Sequence, residues 1–474
     1  MTLHDLKLNF LGARDTVTGS RTLLNTHNQS FLIDCGLFQG TKEIRLRNWA
    51  KFPFNPEKIS SVVLTHAHLD HSGYLPKLVR EGFSGKIYCS PGTADLLSIL
   101  LLDAAFLEEE SARYANKSGY SNHKPALPLF TTKDAEAVFP LIEIVGRNEW
   151  VNLTPELSFR FFRAGHIIGA SFIQFSYTDP YSKSSCLISF SGDLGHSRSQ
   201  ILRGPEDLLE TDYLVLESTY GNRRHPRGDA SKELAEIINR TSASHGVLLI
   251  PAFAVGRAQE VIYAIKQLED SNSIKSIPVY LDSPMAQRAT KIMINHPEDH
   301  VLDSQFLQKD ISEFYPAKFQ SVSSVDESMS LCSRSGPMIV ISASGMLSGG
   351  RILHHLKARL SNKNNTLLFT GYQAEGTKGR FLQDNFGKVE SLRIHHQEIP
   401  IFCNIQTLDE LSAHADYEDM LAWLARMERK PKEIFINHGT ENSQQAFAEK
   451  ITEELGIKAS PVYKQGVFNL SLKK

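Results

Sequence analysis

The chain has 474 residues, about three times the ~150 residues typical of one domain, so two or three domain-sized units are expected. Hydrophobic residues make up 41% and charged residues 22%, which excludes a disordered, fibrous or coiled-coil chain. The 51 Lys and Arg against 53 Asp and Glu give a net charge of −2, which argues against nucleic-acid binding through bulk positive charge. A local basic groove, balanced by acidic residues elsewhere, stays compatible with this total.

Short apolar strands followed by polar residues and glycine are predicted over the first two hundred residues. The N-terminal segment alternates Leu6, Leu8 and Phe10 as a strand does. Further strands are predicted at residues 31–33, 61–65, 159–162 and 186–190, and a helix over residues 71–80 that ends at Gly82. Ligands and catalytic groups of layered α/β proteins cluster at such strand ends.

From about residue 205 the pattern changes to strands that alternate with helices, which is typical of a parallel α/β unit. Strands are predicted at residues 214–216, 247–250, 277–281, 338–341 and 366–369, and helices at 232–238 and 257–268. Residues 366–369 are expected to close this unit, before a final segment with a helix at 418–427 and a strand at 433–436. The predicted domains are residues 1–204, 205–385 and 386–474, with the middle one inserted between two parts of the same domain.

Cysteine usage and the N-terminus bear on the compartment. The five cysteines occur singly, without a C-x-x-C pair, which favours a reducing compartment over a disulfide scaffold. The N-terminal segment lacks the charged and apolar regions of a signal peptide, and no run of ~18 apolar residues is present. A cytoplasmic location and no membrane partner are therefore predicted.

The strongest chemical signal is the sequence His66-Ala-His68-Leu-Asp70-His71, directly after a predicted strand. Three imidazoles and a carboxylate within six residues suit zinc and similar divalent cations. A solvated loop can hold one or two histidines by chance, but the complete H-x-H-x-D-H spacing favours a metal site.

Two later residues are candidates to complete the coordination of two metals. His166 and Asp193 each follow an apolar strand beside a glycine. A carboxylate such as Asp193 can bridge two metal ions ~3.5–4 Å apart. Taken singly, each of these residues would more often be a turn residue, but their strand-end position after the hexad favours metal binding.

These motifs resemble those of the metallo-β-lactamase superfamily, specifically its β-CASP branch of RNA-processing nucleases. Asp34, the hexad, His166 and Asp193 match the superfamily motifs, and Glu217, His414 and His438 match motifs A, B and C of the branch. The resemblance covers essentially the whole chain and points to relatives of the pre-mRNA 3′-end cleavage endonuclease subunit. It implies an α/β fold, a metallo-β-lactamase αββα sandwich with an inserted parallel α/β β-CASP domain. A histidine at motif C is typical of the RNA-acting members.

The resemblance implies two Zn²⁺ per chain and a role for each matched residue. One zinc would be held by His66, His68 and His166 and the other by Asp70, His71 and His438, with Asp193 as the bridge. A hydroxide activated by both metals would attack the scissile phosphorus. The predicted catalytic residues are Asp70, His414 as general acid, Glu217 as its orienting partner, and Asp34 as a residue that orients a ligand imidazole. Without the resemblance, His414 would be interpreted as a neighbour of a helix N-cap.

Residues outside these motifs are predicted to contact the substrate. Arg257, Ser344, Lys378 and Arg380 lie beside Gly-rich turns and suit phosphate binding through guanidinium, hydroxyl and ammonium groups, with surface solvation as the alternative for each. The adjacent pairs His354–His355 and His395–His396 match no motif and are predicted to be structural or surface residues.

The combined prediction is a zinc-dependent ribonuclease that cleaves single-stranded RNA in a cleft between the two domains. An endonuclease is favoured because the chain ends without the additional C-terminal domain of ribonuclease J, and a 5′–3′ exoribonuclease is the alternative. Two competing hypotheses are a small-molecule thioester or lactone metallo-hydrolase and a non-catalytic RNA-binding scaffold. A homodimer is an expectation from the resemblance alone, and the choice between zinc and manganese is left open.

Overall fold

The computed structural model describes residues 6–27, 29–119, 123–226, 228–303, 311–408 and 412–472. These residues form two compact units. The first comprises Met1–Ser197, Gly204–Arg224 and His414–Lys474, and the second comprises Arg198–Arg203 and His225–Ala413. The predicted boundaries at 204/205 and 385/386 stay a prediction, and the compact units divide at 224/225 and 413/414 instead. No helix in the described ranges is long and apolar enough to cross a membrane.

The first unit begins with strands β1 (Lys7–Phe10), β2 (Thr22–Asn25), β3 (Ser30–Ile33), β4 (Ile59–Val63), β5 (Lys86–Cys89), β6 (Ile142–Ile144), β7 (Val151–Asn152), β8 (Leu157–Arg163), β9 (Ser171–Thr178), β10 (Ser185–Phe190) and β11 (Tyr213–Leu216). Its helices in this part are α1 (Lys42–Leu46), α2 (Leu69–Ser72), α3 (Leu75–Arg80), α4 (Pro91–Ser118) and α5 (Thr132–Glu136). The second unit contains strands β12 (Val247–Pro251), β13 (Val279–Asp282), β14 (Phe319–Ser321), β15 (Met338–Ser342), β16 (Thr366–Phe369), β17 (Ser391–Ile394), β18 (Gln397–Pro400) and β19 (Asn404–Thr407). Its helices are α6 (Ala230–Ala243), α7 (Arg257–Asp270), α8 (Pro284–Ile294), α9 (Val325–Ser333), α10 (Ile352–Arg359) and α11 (Lys378–Asn385). The first unit ends with α12 (Tyr417–Ala425), β20 (Glu433–Ile436), α13 (Glu441–Leu455), β21 (Ala459–Pro461) and β22 (Val467–Asn469).

The first unit is built on two mixed sheets, in the orders β22-β1-β2-β3-β4-β5-β6 and β21-β20-β11-β10-β9-β8-β7. One apolar core lies between them: the ring centroids of Phe10 and Phe435 are 6.1 Å apart, and those of Tyr88 and Phe159 are 5.3 Å apart. Helix α4 packs against β6, and α13 packs against β20 and β21. The predicted αββα sandwich is confirmed.

Local sequence explains where the helices of this unit begin and end. Ser90 accepts a hydrogen bond from the backbone N–H of Thr93 and caps α4, and Gly119 ends this helix at a φ of 66°, in the left-handed region that favours glycine. The predicted helix over residues 71–80 is instead divided into α2 and α3. Pro76 explains the break, because it has no N–H to continue a helical hydrogen-bond ladder and is best placed in a first turn.

The second unit contains a six-stranded sheet in the order β14-β13-β15-β12-β16-β19, and each neighbouring pair is parallel. The predicted parallel α/β unit is therefore confirmed. The expectation that residues 366–369 close it is wrong, because β19 pairs with β16 and forms the edge of the sheet. Its sequence, Asn-Ile-Gln-Thr, has one strongly apolar residue, which suits an edge strand but gives a weak strand signal.

Candidate metal centre

The predicted site residues of the first unit follow strands of both sheets. Asp34 follows β3, His66 and His68 follow β4, His166 follows β8, Asp193 follows β10, Glu217 follows β11 and His438 follows β20. Asp70 and His71 lie on the short helix α2, two to three residues after the loop histidines. Because these strand ends come together at one edge of the sandwich, residues far apart in sequence share one cluster.

The first part of the cluster is the triple-histidine group, formed by His66, His68 and His166 together with Asp193. Nδ1 of His68 lies 3.2 Å from Nε2 of His66 and 3.1 Å from Nε2 of His166. Oδ2 of Asp193 lies 3.5 Å from Nε2 of His66 and 3.6 Å from Nε2 of His166. Four potential ligand atoms thus surround one small volume.

The second part is the mixed group, formed by Asp70, His71 and His438 together with Asp193. Nε2 of His71 lies 3.0 Å from Nε2 of His438, and Oδ2 of Asp70 lies 3.6 Å from the same His438 nitrogen. Oδ1 of Asp193 lies 3.2 Å from Nε2 of His71 and 3.5 Å from Nδ1 of His438. Asp193 therefore directs one carboxylate oxygen towards each group.

The chemistry of these donors fits divalent cations. The Oδ1 atom of Asp193 is buried and accepts no hydrogen bond of good geometry from the residues that the structure describes. Ring nitrogens of different histidines face one another at 3.0–3.2 Å. Nδ1 of His68 faces two such nitrogens, and one hydrogen bond can satisfy only one of these two contacts. A cation in each group would accept lone pairs from the ring nitrogens of that group and from the carboxylate, which is the donor set that zinc prefers.

The polypeptide backbone is packed tightly around the cluster. A side chain at Gly36 would meet the backbone carbonyl of Asp70 at 1.6 Å, and one at Gly195 would meet the carbonyl of Gly165, next to His166, at 1.9 Å. Asp34 and His438 adopt positive φ angles of 58° and 50°, which are uncommon for residues other than glycine and cluster at functional sites.

Asp34 belongs to neither of the two groups but contacts one of their histidines, His71. Its Oδ2 lies 2.7 Å from Nδ1 of His71 and accepts a hydrogen bond from Ser20, and its Oδ1 accepts the backbone N–H of Thr65 at 2.8 Å. The Thr65 hydroxyl also lies 3.0 Å from both carboxylate oxygens and 3.1 Å from Nδ1 of His66. Sequence reasoning missed Thr65, whose only signal is its position directly before the first histidine of the hexad.

The charges of the cluster act on one another strongly. Burial lowers the pKa of His66 well below its usual value, and the charge of His71 adds to this effect. Burial opposes ionisation of Asp193, but the neighbouring His438 and His71 hold its pKa well below the usual range. Burial also opposes the charged form of His71, yet the carboxylates of Asp193 and Asp34 raise its pKa well above normal. Asp193 and His66 thus favour the forms that bind cations, an ionised carboxylate and a neutral imidazole, whereas His71 would have to release a proton when a cation binds.

A third group pairs His414 with Glu217 beside Asp193. Nδ1 of His414 lies 3.2 and 3.3 Å from the two carboxylate oxygens of Glu217 and 4.0 Å from Oδ2 of Asp193. Glu217 is fixed in turn by the backbone N–H of Leu194, 2.6 Å from its Oε1. Burial disfavours the charged imidazole, but the charge and hydrogen bond of Glu217 outweigh it and raise the pKa of His414 to about 9.

The four predicted substrate-binding residues lie in the second unit, after neighbouring strands of its parallel sheet. Arg257 begins α7 after β12, Ser344 follows β15, and Lys378 and Arg380 lie on α11 after β16. The loops after β15 and β16 contact each other, since Nε2 of Gln373 donates to the carbonyl of Gly345 at 3.1 Å. Two of these positively charged side chains form ion pairs with carboxylates: Arg257 pairs with Glu260, and Arg380 pairs with Asp384.

The comparisons with known protein families agree with this geometry. Residues 15–238 match the model of the metallo-beta-lactamase superfamily, residues 258–382 match the Beta-Casp domain, and residues 398–461 match the Zn-dependent metallo-hydrolase RNA specificity domain. The sandwich with its buried histidine–aspartate cluster thus defines a hydrolase of the metallo-β-lactamase type. The chain belongs to the β-CASP family of that superfamily and is a metal-dependent nuclease.

Individual relatives cover nearly the whole chain, and the family predicted from the sequence is confirmed. "Ribonuclease TTHA0252" of Thermus thermophilus is 36% identical over 434 residues, which are 91% of this chain and 92% of that protein. "Transcription termination factor FttA" of Methanosarcina mazei is 30% identical over 472 residues, 95% of this chain and 70% of that protein. The protein of the same name from Thermococcus kodakarensis is 30% identical over 473 residues, 95% of this chain and 69% of that protein.

Proposed function

We propose that the chain hydrolyses phosphodiester bonds of single-stranded RNA endonucleolytically, with two zinc ions per chain and His414 as the general acid. A metal-dependent ribonuclease is the activity that the family match and the ribonuclease relative support. The position of the cut within the RNA, the number of metals and the identity of the metal go beyond that support. The endonucleolytic mode rests on the resemblance to the pre-mRNA cleavage endonuclease subunit, and a homodimer rests on the same resemblance.

The observation that carries the two-metal proposal is the position of Asp193. Its two carboxylate oxygens lie 3.2–3.6 Å from ring nitrogens of two separate histidine groups. We assign one cation to the triple-histidine group and one to the mixed group, with Asp193 shared between them. When bound, such cations supply an acidified water and neutralise charge on the phosphate oxygens.

The protein's own residues provide the proton for the leaving oxygen. The hydrogen bond between Nδ1 of His414 and Glu217 fixes the orientation of the ring and leaves Nε2 on its opposite side. Glu217 is itself held by the N–H groups of Leu194 and Thr219, so it cannot follow a rotating imidazole. A proton on Nε2 of His414 is the one we assign to the leaving oxygen.

Asp34 is proposed to keep His71 in the tautomer that a cation requires. When Nδ1–H of His71 donates to Asp34, the lone pair of Nε2 is directed towards Asp193 and His438. Phosphate binding is assigned to Arg257, Ser344, Lys378 and Arg380. Their positively charged groups and hydroxyl follow the carboxyl ends of adjacent strands in the second unit's sheet.

The test uses one RNA labelled at its 5′ end and, separately, at its 3′ end. The metal-depleted protein is incubated with each RNA after addition of zinc, manganese or buffer alone. With zinc, we expect each end label to appear on fragments of intermediate length, as cleavage inside the RNA produces. With buffer alone, we expect no labelled fragments. Release of a labelled 5′ mononucleotide first would identify a 5′–3′ exonuclease instead.

Three further outcomes would reject the proposal. Undiminished cleavage after complete metal removal would reject the metal mechanism, and binding of RNA without any cleavage in the metal-loaded protein would favour a scaffold. A thioester or lactone substrate turned over faster than RNA would favour a small-molecule hydrolase. The number of metals is measured separately, by elemental analysis of the protein after zinc loading, with two per chain expected.

A further inference from the structure

A second cluster of chemically active side chains lies in the second unit, around Cys332. Cys332 is near the end of α9 and is partly exposed. Its Sγ lies 3.5 Å from Nδ1 of His355, on the adjacent helix α10. Nε2 of His355 lies 2.7 Å from Oδ2 of Asp282, at the end of β13, and both of these side chains are fully buried. The order thiol, imidazole, carboxylate is the arrangement found in cysteine nucleophiles.

The hydrogen-bond partners of Asp282 define how the imidazole is protonated. Besides facing His355, Oδ2 of Asp282 accepts the hydroxyl of Ser328 at 2.6 Å, and its Oδ1 accepts Nη1 of Arg351 at 2.7 Å. Because donors surround this carboxylate, it is an acceptor only, so the proton of the neutral His355 ring is placed on Nε2. Nδ1 of His355 then carries the lone pair, and it faces the thiol.

The buried guanidinium of Arg359 adds a positive charge that acts on the Cys332 thiol. The residue is only 5% exposed, and its guanidinium donates to the backbone carbonyls of Arg334 at 3.1 Å and Leu331 at 2.7 Å. Its Nε is buried and has no hydrogen-bond partner among the described residues. Burial raises the pKa of the Cys332 thiol above its usual value; the positive charge of Arg359 opposes this shift without reversing it, and the carboxylate of Asp282 adds to it.

We propose that Cys332 is a base-assisted reactive thiol that is oxidised by hydroperoxides. Nδ1 of His355 accepts the thiol proton, and the sulfur attacks one oxygen of the peroxide. The O–O bond breaks, the sulfur is oxidised to a sulfenic acid, and the peroxide is reduced to water or an alcohol that takes the proton from His355. Asp282 positions the imidazole, and Arg359 stabilises the sulfur while it carries negative charge.

The remaining cysteines provide a contrast within the same chain. Cys35, Cys89, Cys186 and Cys403 are buried, and burial raises the pKa of Cys35, Cys89 and Cys403 to about 12 in each case. Cys332 combines partial exposure with an adjacent imidazole, so oxidation in the folded protein should be confined to it.

The test measures the rate of sulfenic acid formation at Cys332 in the full-length, metal-loaded protein. Hydrogen peroxide is the oxidant, dimedone traps the product, and peptide mass spectrometry locates it. The reference is a synthetic peptide of residues 328–337, which contains the same thiol without the cluster. We expect Cys332 in the protein to react at least about tenfold faster than the peptide, because a positioned base assists proton transfer.

His355→Gln should reduce the rate to that of the peptide, whereas His354→Gln, at an exposed position on the same helix, should leave it unchanged. Equal rates for protein and peptide would overturn the proposal, and so would a folded His355→Gln protein that reacts as fast as the wild type. Should His355→Gln not fold, the comparison of the wild type with the peptide tests the proposal. Arg359→Gln adds a second test, because it is expected to slow the oxidation of Cys332 whereas Arg359→Lys is not.

Discussion

Asp34–His71 in the first unit and Asp282–His355 in the second are both buried carboxylate–imidazole pairs, and they differ in what the second ring nitrogen meets. In the first unit Oδ2 of Asp34 lies 2.7 Å from Nδ1 of His71, and Nε2 of His71 faces a second imidazole, that of His438, at 3.0 Å. In the second unit Asp282 and His355 are also 2.7 Å apart, but the second ring nitrogen faces a thiol. The same pair of residue types thus lies in the candidate metal centre in the first unit and in the proposed reactive thiol cluster in the second.

The electrostatic surroundings explain why the pairs behave differently. The pKa of His71 is raised, because the carboxylates of Asp193 and Asp34 outweigh the effect of burial. The pKa of His355 is lowered, because burial outweighs its hydrogen bond to Asp282 and the charge of Arg359 acts in the same direction as burial. A hydrogen-bonded carboxylate therefore fixes the orientation of an imidazole, whereas the remaining neighbours decide which protonation state and which chemistry follow.

Replacement of the shared carboxylate is the most severe way to break the first unit's centre. Asp193→Asn removes the negative charge that faces both histidine groups, so we expect loss of bound metal and a decrease in RNA cleavage of more than about 10³-fold. Elemental analysis and a cleavage assay measure the two effects. Asp212→Asn is the control, since Asp212 is a buried aspartate of the same unit that pairs with Arg429. Full metal content in Asp193→Asn would contradict its assignment as a bridge.

Removal of the proton donor should separate catalysis from metal binding. His414→Ala is expected to slow cleavage by about 10²–10⁴-fold, the range for loss of a general acid, without a change in metal content. The reason is that His414 contacts Glu217 directly, at 3.2 Å, and lies farther, at 4.0 Å, from Asp193. Loss of zinc in this variant would mean that His414 is a ligand, and an unchanged rate would mean that it is not the acid.

How well each residue of the candidate metal centre can be predicted depends on whether its motif lies within a few consecutive residues. The hexad from His66 to His71 was evident because its spacing alone indicates a metal site. His166 and Asp193 carry weaker signals, and Glu217 and His438 are predicted only through the resemblance to a family. All of them lie in one cluster in the structure.

What could not be predicted depends on contacts between segments. Thr65 looked like the end of a strand, and its hydroxyl gains a role only where β3 and β4 bring Asp34 next to it. His355 was expected to be structural or at the surface, and no spacing rule links it to Cys332 or to Asp282. The edge strand β19 was missed because an edge strand need not be apolar.

A smaller expected effect compares the two pairs directly. Asp34→Asn should weaken metal binding by about 10–100-fold, as is typical when a residue that orients a metal-bound histidine is changed. A competition titration against a chromogenic chelator measures the affinity. Asp282→Asn is the matched variant in the second unit and should leave the affinity unchanged. Equal losses in both variants would indicate a general effect on folding rather than a role of Asp34 at the centre.

The smallest effect concerns stability and its dependence on pH. Burial opposes ionisation of Asp282, but hydrogen bonds from His355, Ser328 and Arg351 lower its pKa from the usual 3.8. A lowered pKa in the folded state means that the ionised carboxylate stabilises the fold above pH 3.8, and that this contribution is lost as the pH falls further, through the folded-state pKa. Asp282→Asn should therefore cost about 1–3 kcal/mol of unfolding free energy near neutral pH.

The same variant then tests the sign of the pH dependence. The difference in unfolding free energy between wild type and Asp282→Asn should be constant from pH 7 to about pH 5 and should decrease below pH 3.8, because protonation of Asp282 removes the advantage of the wild type. Denaturant unfolding across this range measures the difference. An increase towards low pH would show that Asp282 is already protonated in the folded protein. In that case the proton of His355 would not be held on Nε2, and Nδ1 would lose its assigned role towards Cys332.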